Sequence, residues 1–526
     1  MKSKYVNIIN TKYVVASLIA ILISVASCDK DFEELNKNPL LLTTMDPVYE
    51  LVTAEATFTD QHHYFAQIIQ QCALIIGGQE AGGNYNIRND NQMQSMWNTS
   101  YNALRPLFDI MKTLEGNTER SNLYNMARIL KVWNMMRLVD TYGNVPYSQA
   151  GLGLEGIFNP VYDDMEEIYA DLATELKEAT DALDATKKIE TGDMYFKGDI
   201  AKWKKFGNSL LLRLGMRYSK SKPATAESIV KIATDPARGG VITTNSENVV
   251  IPYNGTQNNP NSAAFLSGTK HNWHASRPLV DFLYTNKDPR MKYIICRYSD
   301  PESATGGTID TIGANQIGCP HGYDESTIMQ DPLYPGEFKS FVYKYSQFNR
   351  QRCVRIESWH FIVTAAQTQL LMAEARSRNW ITTGTAKDYY ENGVKQALQL
   401  PDMFATTREG ASPITDGEVA AYLARPNIAF SDATALKQIN EQYWLACFLS
   451  WHEAWCNFRR SGYPQLNRIN YSKEDAKVHA STDGFIRRLC YTIREYSVNK
   501  ENVNKAATAI GGDELTTRIF WDTVLP

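Results

Sequence analysis

The chain has no excess of positive charge: 54 Lys+Arg stand against 58 Asp+Glu in 526 residues. A surface that grips nucleic acid needs a positive field, so that class of partner is excluded. Metal-binding spacings are missing too, since no C-x-x-C occurs, His452-Glu453 lacks the second histidine of H-E-x-x-H, and His62-His63 has no thiol or carboxylate at ligand spacing. No metal or other cofactor is expected. There is no G-x-S-x-G elbow, so acyl-transfer chemistry has no local anchor. Gly151-Leu152-Gly153-Leu154-Glu155-Gly156 satisfies G-x-G-x-x-G, but it follows a Pro-containing turn and runs into Phe158-Asn159-Pro160, so it neither leaves a strand nor opens a helix. It reads as a chance match.

What is present is enough apolar and aromatic material for a large core, which excludes disorder. Tyrosine makes up half of the aromatics, 29 against 19 Phe and 10 Trp, and a phenol can stack on a ligand and hydrogen-bond it at once. Lys2, Lys4 and Lys12 precede the run Val14–Ala26, too short to span a bilayer and suited to the apolar part of an export signal. The small residues Val25-Ala26-Ser27 lead into Cys28, a pattern that resembles the lipobox cleaved by the bacterial lipoprotein signal peptidase; the alternative is an ordinary signal with a chance cysteine. On the first reading residues 1–27 are removed and Cys28 is lipidated, which leaves 51 basic against 58 acidic side chains, a net charge of −7. An acidic tether, Asp29–Glu34, follows.

Seven further cysteines cannot all pair in an exported chain. Cys296 and Cys319 are the pair that closes a short loop-rich segment; buried free thiols are the alternative.

Helical periodicity dominates. Asp163 with Glu166 three residues on predicts an N-cap for a helix that places Ile168, Leu172, Leu176, Ala179 and Leu183 on one face. A second helix starts at Asp199 and carries Trp203, Phe206, Leu210 and Leu214, with Lys202, Lys204, Lys205 and Arg213 read as its solvated face. Ala127–Val139 predicts a helix that stops at Gly143 and Pro146. Ile362, Ala366, Leu370 and Ala373 mark another, and Ile439–Phe458 reads as one enclosed helix. Glu374 lies in an apolar helix, either catalytic or paired with Arg459 or Arg460 to hold two helices in register.

Residues 235–355 are rich in Gly, Pro, Asn and Ser, with β-prone pieces at Val249–Ile251 and Phe341–Tyr343, and read as a long irregular insertion. Loops of that length inside a compact protein usually carry function. The stretch 77–98 has the same character. The expected fold is mostly α, one domain over 28–526 built as a tetratricopeptide-like succession of helix pairs with this insertion.

The succession Asp31–Pro39, Asp140–Ala150, Lys197–Asp199 with Trp203, Asn208–Leu210 and Leu212–Arg217, Asp288–Arg290, Leu371–Ala375, Glu453–Trp455, Arg459–Pro464, Arg487-Arg488 and Trp521-Asp522 resembles, nearly end to end, the SusD/RagB superfamily of Bacteroidetes nutrient-binding lipoproteins. The resemblance implies a non-catalytic receptor in the outer membrane, facing the cell surface, that passes a glycan or in some cases a peptide to a SusC-like TonB-dependent transporter. A periplasm-facing orientation is the alternative.

A sugar presents apolar C–H faces bordered by hydroxyls, so its receptor needs aromatic platforms beside amides and carboxylates on loops. Asn272, Trp273 and His274 in the insertion, and Gln79, Asn84, Tyr85 and Arg88 in the smaller stretch, supply these groups. For Trp273 a buried loop anchor stands beside a ligand platform; Trp97, at helical spacing from Tyr101, reads as core. The competing functions are a lipid-anchored glycoside hydrolase, which needs two converging carboxylates with one pKa raised, and a helical adaptor with a broad apolar groove.

Overall fold

The computed structural model describes residues 45–57, 63–75, 85–254, 256–266, 273–301, 307–336, 344–404 and 412–523. The chain divides into two units, Met1–Tyr49 and Glu50–Pro526, and everything below concerns the second. Cys28 and the export signal lie outside the described residues.

Five helices follow one another, Asp90–Thr113, Ser121–Tyr142, Met165–Asp181, Ile200–Arg217 and Pro223–Ala233, and each packs on the next. A second group starts at Ala365–Ser377, which packs on Ala386–Leu398, on Ala435–Ala446 and back on Ile200–Arg217. The fold is therefore the mostly helical, pairwise-stacked frame expected, with few strands in small sheets.

The predicted stops and starts hold in two places. Gly143, at φ 78°, ends the Ser121–Tyr142 helix, and the Asp199 carboxylate accepts from the Lys202 amide (3.1 Å) at the start of the next. Elsewhere tertiary contacts decide. Asp164, not Asp163, caps Met165–Asp181, accepting from the amides of Glu166 and Glu167, because Asp163 is engaged by the amides of Tyr147 and Ser148 (2.8 and 2.9 Å). Ile362 sits in a strand, and the helix begins only at Ala365, behind the Thr364 cap. Ile439–Phe458 is two helices, Ala435–Ala446 and Trp451–Ser461, parted at Leu449, whose φ is 68°. Arg213 is no surface group: it is buried and donates to Gln367 (2.8 Å).

The frame buries an ionic centre. Arg217 grips Glu453 through both Nη atoms (3.1 and 2.5 Å) and reaches Asp140 through Nε (3.3 Å), while Tyr443 donates to Glu453 (2.8 Å). Burial alone would raise the Glu453 carboxyl; Arg213 and Arg217 hold it at about 2. Glu374 is likewise bidentate to Arg460 (2.7 and 2.8 Å) and bound by Arg378 (2.9 Å), the pairing reading. Removing one partner from such a pair leaves a buried charge uncompensated. All seven described cysteines are buried free thiols; Cys296 and Cys319 form no bridge.

Among its described residues the 235–355 region holds five short strands and three α-helices, Pro260–Phe265, Arg277–Thr285 and Met291–Ile294. In chain order the strands are β1 Cys72–Ala73, β2 Val249–Ile251, β3 His274–Ala275, β4 Ile295–Tyr298, β5 Ile309–Asp310, β6 Gln347–Phe348 and β7 His360–Val363. One sheet has the order β1-β3-β6-β4-β5; β2 pairs with β7. Phe341–Tyr343, predicted as β-prone, lies outside the described residues.

Candidate functional site

The five-stranded sheet brings the two predicted stretches together. Cys72 pairs with Ala275 and Ala73 with His274 in antiparallel register, so the chain leaves β1 and enters β3 at the same end. Gln79, Asn84 and Asn272 lie outside the described residues. Trp273 is 8% exposed and packs against His63 and Phe265 (ring centroids 4.5 and 5.2 Å), so its place is that of a loop anchor and it offers no open platform. His274 is fully buried in β3, its ring edge-on to Tyr345. Arg88 is exposed and bound to Asp90 (2.6 Å). Trp97 is buried among Tyr101, Tyr142 and Tyr162, as a core residue would be.

Tyr85 leads to groups that the sequence reading missed. Its hydroxyl donates to the Ile75 carbonyl (2.8 Å), and its ring stacks on Tyr471 at 4.5 Å and 27°. Tyr471 stays half-exposed and donates to Asp324 (2.9 Å). The neighbouring Asn86 side chain donates to the Gly484 carbonyl (3.0 Å) and to Glu474 (3.1 Å), which ties this turn to the C-terminal segment. Beneath them a small apolar cluster, Ala73, Ile75, Cys319, Ile328 and Tyr345, carries the half-buried Tyr323 and Tyr334 on its flank. A rim of tyrosines thus surrounds the point where β1 ends.

The rim is charged on one side. Hydrogen bonds from Ser326 hold the Asp324 carboxyl at about 2 despite some burial, with Thr327 and Tyr471 adding to the effect. Burial would raise Asp331, but Arg277 donates to both of its oxygens (2.9 and 2.6 Å) and keeps it below the usual range. The rim therefore combines phenol faces with an ionised carboxylate, Asp324, whose Oδ1 is taken up by Ser326 and Thr327 and whose Oδ2, bonded to Tyr471 and 3.8 Å from Lys473, keeps a lone pair for a sugar hydroxyl. Asn470-Tyr471 repeats the Asn84-Tyr85 pairing in an equally irregular stretch, the sequence signal that could have found it.

Carboxylate pairs exist elsewhere in forms unlike a glycosidase cleft. Glu55 is raised well above its ordinary value by burial and by Asp193, yet both are buried, and Asp193 accepts from the Trp203 indole (2.7 Å) and the Gly198 amide (2.9 Å). The Gly151–Gly156 match is a single 3-10 turn, Leu152–Glu155, set between two left-handed glycines. Among the described residues no three His, Cys, Asp or Glu groups are placed to hold a metal, and no helix is long and apolar enough to cross a membrane.

With this geometry in hand, known proteins provide the context. A family model described as "Starch-binding associating with outer membrane" matches residues 29–491. The chain belongs to the SusD-like family. Among solved structures, a chitin-binding protein is 28% identical, with 91% of this chain and all of that one covered and a TM-score of 0.76. A SusD-like protein described as Bacteroidetes AC2a is 26% identical over the same shares, with a TM-score of 0.77. A chitin-binding SusD homologue from Flavobacterium johnsoniae, at 23% identity and TM-score 0.73 over 91% of this chain and all of its own, shares the fold. No curated protein sequence matched. SusD-like membership accounts for the helical frame and for the sequence motifs at its crossings, since Asp140, Arg217, Glu374, Glu453 and Arg460 all fall in the motifs and all lie in the buried ionic centre.

Proposed function

We propose that this SusD-like protein is a lipid-anchored receptor of the outer membrane that holds an oligosaccharide on the tyrosine rim and hands it to a SusC-like TonB-dependent transporter without cleaving it. The observation that carries the reading is the half-exposed Tyr471, stacked on Tyr85 and bonded to the ionised Asp324 where β1 ends. Gln79, Asn84, Arg88 and Asn272 flank that point in the sequence and are proposed as further ligand contacts. The chitin-binding protein similar over nearly the whole chain supports a glycan as the cargo.

Stacking and a few hydrogen bonds, each about 1 kcal/mol net, place the affinity in the micromolar to millimolar range, on the order needed for release to a partner. Lipidation at Cys28 anchors the receptor, and the acidic segment Asp29–Glu34 directs it to the cell surface.

The test is calorimetry of the protein against chito- and malto-oligosaccharides, with reducing ends assayed in the same samples. Binding without turnover, weakened by Tyr471→Ala, is expected; turnover would replace the receptor with a hydrolase. Because Trp273 is packed inside, Trp273→Ala disturbs the fold and is the poorer probe.

A further inference from the structure

A second site opens on another part of the 235–355 region. A depression of about 780 Å³ lies between the Arg277–Thr285 helix, the β5 turn and the Asp416–Leu423 helix, and Tyr284, Lys287, Thr311, Tyr422 and Arg425 are among its walls. That volume falls within the roughly 300–1,000 Å³ of small-molecule sites.

The charges around it are unevenly matched. Asp288 is engaged by Arg290, which donates to both of its oxygens (2.9 and 2.6 Å), and Glu418 pairs with Lys292 (3.1 Å). Arg425 and Lys287 have no such partner: neither side chain forms a hydrogen bond or an ion pair among the described residues. The Arg425 Nε is wholly buried with nothing accepting from it. The guanidinium is therefore a wall of the depression whose charge no side chain neutralises, and an arriving anion would meet it unpaired. Lys287 is held at φ 49°, a left-handed conformation in which a glycine would sit with less strain, and it places a cation at the same depression.

The remaining unspent groups are those of a sugar site. Tyr284 is 52% exposed, and its hydroxyl, like that of Thr311, has no partner among the described residues. An aromatic face, two free hydroxyls and a forked cation suit a pyranose ring with a planar or tetrahedral oxyanion attached.

We infer that this depression binds a saccharide bearing an anionic group, a hexuronate carboxylate or a sulfate ester, with Arg425 and Lys287 on the oxyanion and Tyr284 under the ring. The inference rests on the glycan-receptor reading above but names a different site and a different ligand chemistry.

The experiment uses the full chain in detergent and compares, at low and high salt, a hexuronate trisaccharide, a sulfated trisaccharide and a neutral trisaccharide. An acidic ligand is expected to bind about tenfold more tightly than the neutral one, with the advantage shrinking in high salt. Whichever acidic arm shows the gain identifies the oxyanion. Arg425→Gln and Lys287→Gln should each remove most of that advantage, Arg425→Lys should restore part of it, and Tyr471→Ala, which weakens the neutral ligand, should leave the acidic ligand's own affinity at the depression untouched. Melting curves check that each variant is folded. Equal affinity for all three ligands, an Arg425→Gln variant with full acidic preference, or no acidic binding at all would overturn the inference. Neutral-ligand binding that depends on Tyr471 would survive that failure, whereas failure of the rim reading would show as acidic binding through Arg425 with no Tyr471-dependent component.

Discussion

The arginines of the helical frame and the one at the 780 Å³ depression have the same charge and opposite circumstances. In the frame, Arg217 meets Glu453 and Asp140, and Arg460 meets Glu374, inside a core that excludes water. At the depression, Arg425 forms no ion pair, because the two acids that share the lining, Asp288 and Glu418, are taken up by Arg290 and Lys292. The tyrosines divide in the same way: Tyr443 spends its hydroxyl on Glu453, whereas Tyr284 keeps both ring and hydroxyl available. The difference teaches how to separate residues that hold the fold from residues able to receive a ligand. Residue type does not distinguish them; the state of their valences does.

The comparison can be broken most severely in the frame. Glu374→Ala strands Arg460 and is expected to cost about 3–5 kcal/mol, measured by urea denaturation, while replacing both partners with apolar residues of similar volume should cost far less. A small loss from the single variant would mean that the pair is not the tie it resembles.

Acid should act next. His63, His321 and His360 are held at about 4 by burial against an ordinary 6.5, so each stays neutral in the fold. Their contribution is fully present above pH 6.5 and is lost as pH falls through 4; Glu453, held at about 2, adds a further loss below pH 4.5. The melting temperature should therefore decline from pH 7 to pH 4. Asp324, also held at about 2, remains ionised over that interval, so ligand affinity at the rim should stay flat until the frame gives way. An affinity that falls before the melting temperature does would count against Asp324 as the rim's acceptor.

A smaller effect is expected at the rim itself. Tyr471→Ala removes one stacking face and should weaken oligosaccharide binding by about two- to tenfold, with a stability loss of about 0.5–1.5 kcal/mol from the broken Tyr85 stack. The smallest change belongs to the surface. Phe158 is 78% exposed, and Phe158→Ser should shift stability by less than about 0.5 kcal/mol.

The frame was largely legible in the sequence because helix periodicity, the Asp199 cap and the Gly143 stop are local signals. Where reading failed, a distant contact had overridden a local one. Asp163 looked like a cap but serves the amides of Tyr147 and Ser148, and Arg213 looked solvated but lies beside Gln367. The break at Leu449 has no proline or glycine to announce it. The site was legible only in outline. Composition located the irregular stretches, yet which of their aromatics turn inward depends on β1, β3 and β6 pairing across about 275 residues of chain. Trp273 is covered by His63 and Phe265, His274 by Tyr345, and the turn beyond β1 stacks Tyr85 on Tyr471, some 386 positions away.

The seven buried thiols have a use beyond packing. Burial pushes every one of them upward, Cys296 and Cys490 to about 12, so none is a competent nucleophile while its surroundings stay closed. Spread from Cys72 in the sheet to Cys456 beside Asp140, they form a set of built-in clocks. The rate at which an alkylating reagent finds each one reports how often that neighbourhood opens, and would map, thiol by thiol, which parts of the protein breathe with and without an added oligosaccharide.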